Sequence, residues 1–464
     1  DASTKFAPEN YWGFFPSVSA GWRISGEKFM QPLQDIVTDL KLRAGWGMNG
    51  NQGGFGNYAY MASMSVSKLP VSEGNLYPGL AIKPGSAANK ELTWEKTSQW
   101  NLGLDLTMFD SRLSFSVDAY YKKTTDLLLT VSLPENVVPS SVTRNDGEMV
   151  NKGMEFTLSS QNFKGNFQWN TDFNISFNRN KLTKLGLNKV YYYAEMYESK
   201  EKAVILKEGL PLGTFFGYIS EGVDPETGFA LYNQYYNVKA NGERELITDM
   251  ETYKSKNTIN KLEVEQTSDW DKATKKFVDK SGIPALQGGF GFDLYAKGIT
   301  LNATFSYGIG GYGYDYNYAA IMHSGTSGSY NWHKDIEGRW QKPGDITNIP
   351  SLSNDYGGGA DGTNYANASS TRFLTSRSFL NLANVRIGYS LPKSIVAKLH
   401  LSDLNFFISG DNLLYWSARK GYVSMASSGN SDNVNDDNKN DSGESGRSQY
   451  APLSTIMGGI KIQF

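Results

Sequence analysis

Polar and apolar residues alternate with a period of two along most of this chain, which predicts strands with two unlike faces. In "RLSFSVDAYYK", Leu113, Phe115, Val117, Ala119 and Tyr121 fall on one side, and Ser114, Ser116, Asp118 and Tyr120 on the other. "NLGLDLTMF" sets Leu102, Leu104, Leu106 and Met108 against Asn101, Gly103, Asp105 and Thr107. "ITLNATFSYG" does the same with Ile299, Leu301, Ala303, Phe305 and Tyr307. The pattern predicts strands over 14–24, 40–49, 97–109, 112–129, 152–161, 167–182, 288–297, 298–308, 379–391, 403–416 and 455–464. These are about eleven, many of them at or above the ~9–11 residues that a tilted membrane strand needs. "GTFFGYISEG" (213–222) reads as a short hairpin outside the wall, which would raise the number to about thirteen.

The connections alternate in size. Short turns lie at 109–112, 161–166, 296–298 and 392–403, whereas long polar excursions fill 50–96, 130–151, 183–287, 309–378 and 417–454. Short turns on one rim and long loops on the other are the asymmetry of an outer-membrane barrel. A soluble sandwich or propeller also alternates, but does not sustain strands this long with every large loop on one side. Trp12, Phe14, Trp46, Tyr120, Tyr121, Tyr389, Tyr415 and Trp416 sit where strands meet loops, so they read as interface girdles. The chain ends "STIMGGIKIQF", which reads as a closing wall strand, lipid-facing through Ile456, Ile460, Ile462 and Phe464. A terminal Phe464 resembles the assembly signal that such barrels show to their insertion machinery.

Composition mainly removes function classes. Lys+Arg number 45 and Asp+Glu 47, so there is no basic surplus for nucleic acid. The absence of Cys removes disulfides, thiol catalysis and Cys-type zinc sites. His323, His333 and His400 leave little for imidazole chemistry, and no nucleophile stands with a base, so the chain does not read as an enzyme. No apolar run reaches the ~18–20 residues of a spanning helix, which is no argument against a barrel. "GNQGGFG" (50–56) follows a strand and opens no helix, so it is not read as a phosphate cradle.

Several stretches resemble the SusC/RagA-like TonB-linked outer-membrane transporters. They are "GFFPSVSAGWRIS" (13–25), "LKLRAGWGMNGNQG" (40–53), "ELTWEKTSQWNLGLDLTMFDSRLSFSVDAYYKKTTDLLL" (91–129) and "NDGEMVNKGMEFTL" (145–158). They continue with "GYISEGVDPETG" (217–228), "IPALQGGFGFDLYAKGITLNATFSYGIGGY" (283–312), "RWQKPGDITNIPSL" (339–352) and "LNLANVRIGYSLP" (380–392). They occur in family order and run almost end to end. The resemblance implies an all-β, antiparallel, up-and-down transmembrane barrel of about 22 strands with a plug in its lumen, of which this chain is roughly half. It implies a SusD-like surface lipoprotein as a lid, energy from TonB, outer-membrane lipid around the wall, and oligosaccharide or peptide cargo. A dimer of transporter–lipoprotein pairs is an expectation of the same kind. A passive pore or structural barrel is the alternative reading. The plug, the TonB-contact segment and the earlier strands of the family pattern are missing from residues 1–464. Parity agrees with that: an odd number of strands places Asp1 outside the cell, whereas single-chain bacterial barrels have even counts. The expectation is a C-terminal part of a longer transporter, or one of two chains that close together.

Two stretches are candidate sites. "YGIGGYGYDYNYAAIMHSGTSGSYNWHKDIEGRW" (307–340) gathers Tyr312, Tyr314, Tyr316, Tyr330, Trp332 and Trp340, rigid amphipathic rings suited to cargo or to a lid, or else to packing inside a folded loop. "NSDNVNDDNKNDSGESG" (430–446) offers Asp432, Asp436, Asp437 and Asp441 as oxygen ligands for Ca²⁺, but the EF-loop order is not met and a solvated loop is the simpler reading. No other cofactor is implied. "VDPETG" (223–228) reads as a turn, with Pro225 presetting one residue and Gly228 allowing positive φ.

Overall fold

The computed structural model describes residues 1–53, 56–68, 80–132, 141–186, 190–195, 202–323, 331–352, 370–423 and 452–464. The chain divides into two units, Asp1–Tyr191 with Lys207–Pro211, and Tyr192–Leu206 with Leu212–Phe464. The first carries six wall strands: β1 (Ser17–Arg23), β2 (Val37–Asn51), β3 (Glu95–Met108), β4 (Leu113–Thr125), β5 (Glu148–Phe163) and β6 (Phe167–Lys184). The second carries five: β7 (Leu286–Ala296), β8 (Ile299–Ile309), β9 (Phe379–Ser390), β10 (Asp403–Ser417) and β11 (Thr455–Gln463). Within each unit every strand pairs antiparallel with the next in chain order. All eleven predicted wall strands are present, and they are part of a barrel wall rather than a closed one.

Register explains why the alternation matters. Trp22, Leu42, Leu104, Val117, Phe156 and Ile175 stand in one row across the first unit. The next row, one residue along each strand and on the opposite face, is Gly21, Arg43, Gly103, Asp118, Glu155 and Ser176. A slip of one residue would turn every apolar side chain to the polar face, so the pattern itself fixes the pairing. The second unit repeats the scheme: Leu294, Leu301, Ile387 and Ile408 share one row, and Asp293, Asn302, Arg386 and Ser409 another. The apolar face remains open, with Trp100 59%, Leu102 54%, Ile387 51%, Ile408 54% and Ile460 60% exposed. A face this wide and greasy is tolerable only against lipid.

The polar face carries a charge cluster that no strand shows by itself. Arg43 donates to Asp105 at 2.7 and 2.9 Å and pairs with Asp118 at 2.9 Å. Gly103 lies between them, and a Cβ there would sit 2.5 Å from Asp118 Oδ1 and 2.6 Å from Arg43 Cζ. The glycine thus leaves the space in which two carboxylates converge on one guanidinium, a fork suited to bidentate pairing.

At the long-loop rim a small core closes the first unit. Phe6, Leu92 and Trp94 are buried, with Phe6 5.2 Å and Phe15 5.4 Å from the Trp94 ring. At the short-turn rim a bulge leaves Asn162 without a register partner, and Phe163 lies opposite Trp169, ring to ring at 5.8 Å.

Three expectations are corrected. Residues 213–222 form no hairpin: Thr214–Tyr218 pairs with Lys275–Ser281, while Ser220–Val223 pairs with Ala230–Val238. Period-two reading of local sequence cannot tell which distant strand a segment will choose. Tyr120 leaves the girdle, because its row is that of the polar face and its hydroxyl donates to Asn178 at 3.0 Å. Tyr415 leaves it too, lying opposite Asn381 and stacked 5.7 Å from Phe379.

The last strand lies as expected. Ile460 and Ile462 stand opposite Phe406 and Leu404, and Phe464, just beyond β11, is 88% exposed. With so little contact, its ring adds little to folded-state stability.

Candidate functional site: the folded loop lobe

Two of the predicted long loops, 183–287 and 309–378, contain regular structure of their own. Within the second unit, the excursion between β6 and β7 folds into the strands just named together with Arg244–Ile247 and Leu262–Thr267, and the helix Met250–Lys256. Asp249 caps that helix by accepting the Thr252 N–H at 2.8 Å. The excursion between β8 and β9 adds a strand pair, Tyr312–Tyr314 with Leu374–Ser376, and the helix Tyr316–Ile321, capped by Asp315.

The two excursions share one core. Phe215 from the first packs with Tyr314, Ala319, Met322 and Phe373 from the second, all at 3% exposure or less. A second cluster packs Tyr218, Tyr232 and Trp270 in tilted and edge-to-face contacts. Polar bonds cross between the excursions too: Thr371 Oγ1 accepts from the Ser220 N–H at 3.0 Å, and Arg377 donates to the Gly282 carbonyl at 3.0 Å. Asp315 also receives Arg419, whose guanidinium lies 4.2 Å over the Tyr318 ring. Tyr318 donates to Asp335 at 2.9 Å, and burial together with that carboxylate pushes its phenol up to about 12.

The clearest clamp joins two stretches that sequence reading treated separately. In the "VDPETG" turn, Asp224 accepts the Glu226 N–H at 2.9 Å and the Thr227 hydroxyl at 2.8 Å, which hold its carboxyl below the usual carboxylate range. Gly228 has φ +75°, and a Cβ there would lie 2.4 Å from the Trp340 ring. Trp340 donates its indole N–H to the Pro225 carbonyl at 2.8 Å, and the Gly344 and Ser351 N–H groups close on Pro225 and Gly228. Asp345 pins the intervening turn by accepting the Gln341 and Lys342 N–H groups at 3.0 Å. What this rigid turn presents outward is Ile346, 97% exposed, with Phe229, 37% exposed, following the turn it grips.

The aromatic candidates therefore separate. Tyr314 is 1% exposed and belongs to the core. Tyr312 is half-buried, with Lys280 Nζ 4.5 Å over its ring. Trp340 is the clamp. Trp332 is 46% exposed, stacked 5.2 Å from His323 and donating to the His323 carbonyl. The Tyr316 side chain, Tyr330, Asp432, Asp436, Asp437 and Asp441 lie outside the described residues. Among the described residues no cluster of acids and histidines is arranged to hold a metal ion. Sequence reading missed Ile346, because a single isoleucine in a polar loop carries no pattern.

Comparison with known proteins agrees with this geometry. A family model, the TonB dependent receptor-like beta-barrel, matches residues 1–214. The TonB-dependent receptor P3 of Formosa agariphila is 30% identical over 436 residues, covering 93% of this chain and 40% of that protein. The TonB-dependent receptor SusC of Bacteroides thetaiotaomicron is 33% identical over 252 residues, 52% of this chain and 25% of that one. The solved structure of the RagAB peptide transporter superposes with a TM-score of 0.74 at 25% identity, covering 100% of this chain and 45% of that one. The chain thus spans about two-fifths of the length of the curated P3 relative. The long-strand wall, the one-sided loops and these likenesses converge: the chain belongs to the SusC/RagA-like TonB-dependent transporters of the outer membrane and is a portion of their β-barrel.

Proposed function

We propose that the full protein imports oligomeric nutrients, oligosaccharides or peptides, across the outer membrane with energy from TonB, and that the loop lobe of this chain docks a SusD-like surface lipoprotein. On this reading residues 1–464 are the C-terminal part of the barrel, and the plug and remaining strands come from elsewhere in the transporter. The observation that carries the reading is the lobe itself. Reversing a strand outside the cell takes a few residues, yet two excursions fold together around a shared core and present Ile346 rigidly to the exterior. Loops that long are ordered for a purpose, and an apolar knob on a stiff turn suits a partner surface. Trp332 and Tyr312 are the remaining candidates for lid or cargo contact.

The test has two arms. Copurification of the full-length transporter in mild detergent should recover a tightly bound lipoprotein, and Ile346→Asp should weaken its retention by about tenfold or more. Unchanged retention after trimming 309–378 to a short turn would overturn the docking role. Uptake of the cargo should vanish in cells lacking TonB; uptake or open conductance that persists without TonB would favour the passive pore.

A further inference from the structure

The lipid-facing side of the first unit carries positive charges where the apolar alternation predicts greasy side chains. The row Val18, Trp46, Trp100 and Tyr121 continues on β5 and β6 as Lys152 and Arg179. Lys152 and Arg179 are direct cross-strand partners, and Lys181 follows on the same face one step further out. Like charges placed directly opposite destabilise a strand pair. Lys123, also on this face, is neutralised by Glu148 at 2.8 Å. Among the described residues no acidic group pairs with Lys152, Arg179 or Lys181: Glu148, on the same face, is taken by Lys123, and Asp118 and Glu155 point to the polar face.

The height of these cations in the membrane follows from the loops. β5 begins and β6 ends at the long-loop rim, the outside rim of an outer-membrane barrel. From Lys152 the apolar face of β5 runs to Phe163, roughly 36 Å of strand at ~3.3 Å per residue. Tilted by ~40°, that spans about the ~25 Å height of an apolar band. The cations therefore stand at the outer headgroup level, in line with Trp46, Trp100 and Tyr121.

Immediately beneath the aromatic row lies a groove of about 520 Å³. Its floor is Ala20, Ala44 and Ala119 with Leu102, and its upper wall is Trp46, Trp100 and Tyr121. Trp22, Leu42 and Leu104 form the next row below it on the same face. Trp46 is held in place by its indole N–H bond to Ser98 at 2.9 Å and by contact with Trp100 at 6.0 Å. The groove is continuous with the lipid-contacting wall and opens beside an unneutralised cation cluster.

We propose that this surface binds one phosphate-bearing glycolipid of the outer leaflet, with the phosphate between Lys152, Arg179 and Lys181 and an acyl chain in the alanine-floored groove. Charge complementarity selects the occupant: a zwitterionic lipid leaves the like charges uncompensated, whereas a phosphate accepts bidentate Arg and Lys donors together. A neighbouring protein would need an acidic, groove-filling segment held within the membrane, which is costly.

Native mass spectrometry of the full-length, delipidated transporter tests this, using lipid A, enzymatically dephosphorylated lipid A, phosphatidylethanolamine and inorganic phosphate as probes. Lipid A should be retained. Each cation contributes about fivefold, so the triple variant K152Q/R179Q/K181Q should bind roughly a hundredfold more weakly. R179Q alone, which keeps the wall charge balance closer to native, should lose about fivefold. Ala119→Phe should weaken binding while leaving the cations in place. Equal retention of dephosphorylated lipid A or phosphatidylethanolamine, displacement by millimolar inorganic phosphate, or unchanged binding in the charge variants would overturn the proposal. Unchanged binding in Ala119→Phe would overturn the placement of the acyl chain.

Discussion

Leu104→Arg should deplete the protein from the outer membrane, whereas Thr157→Lys should leave its abundance near normal. Leu104 stands mid-strand between Leu42 and Val117 on the apolar face. A cationic side chain at the bilayer midplane of a barrel costs about 2–4 kcal/mol, a large part of the 5–15 kcal/mol that holds a typical protein folded. The introduced guanidinium has no nearby acid to meet, since its neighbours in the row are Trp22, Leu42, Val117 and Phe156. Thr157 lies on the other face between Ser116 and Asn174, where water and the Asp118 and Glu155 carboxylates receive a lysine. Urea titration of both variants refolded in lipid vesicles measures the difference. Equal destabilisation would mean that the two faces are not lipid and lumen.

Trp340→Ala should open the loop lobe without loosening the wall. A buried Trp truncated to Ala costs about 3–5 kcal/mol, and a half-buried one somewhat less; roughly 2–3 kcal/mol is expected here. The variant loses the bond to the Pro225 carbonyl and the ring that lies against Gly228. It also frees the turn that displays Ile346, so retention of the proposed lipoprotein should fall even though Trp340 is itself spent on the turn. Gly228→Val attacks the same contact from the other side, with φ +75° and ring overlap both against it. The double variant should cost less than the sum of the two, because both break one clamp. Hydrogen exchange should show faster opening around residues 223–230 and 338–351 with wall strands unchanged. Additive effects, or exchange that accelerates in β2 to β5 as well, would place Trp340 in some other role.

The wall was legible because a barrel strand states its own environment. Leu102, Leu104 and Leu106 alternating with Asn101, Gly103 and Asp105 need no long-range information to be read as a two-faced strand. The terminal β11 was legible for the same reason. What stayed hidden required distant residues to meet. Arg43, Asp105 and Asp118 are ordinary charges in sequence and become a cluster only when three strands pair in register. The strand Thr214–Tyr218 looked like half of a hairpin with the residues that follow it, yet it pairs with Lys202–Lys207 on one side and Lys275–Ser281 on the other. The aromatic stretch 307–340 was visible as a concentration of rings, but composition could not say that Tyr314 packs inward, Trp340 clamps a turn and Trp332 stays at the surface. The outward cations Lys152 and Arg179 interrupt an apolar face, a deviation that period-two reading smooths over.

One topology underlies both the wall and the lobe: a lipid-embedded sheet with short turns in the periplasm and long loops outside the cell. The absence of Cys in residues 1–464 makes single-cysteine labelling of this part of the protein free of background. Asn241, at the exposed turn before Arg244–Ile247, and Lys164, at the exposed turn between β5 and β6, are the informative pair. In intact cells expressing the full-length transporter, a membrane-impermeant maleimide should modify Asn241→Cys, and should modify Lys164→Cys only after the outer membrane is disrupted. Labelling of Lys164→Cys in intact cells, with Asn241→Cys protected, would contradict this topology.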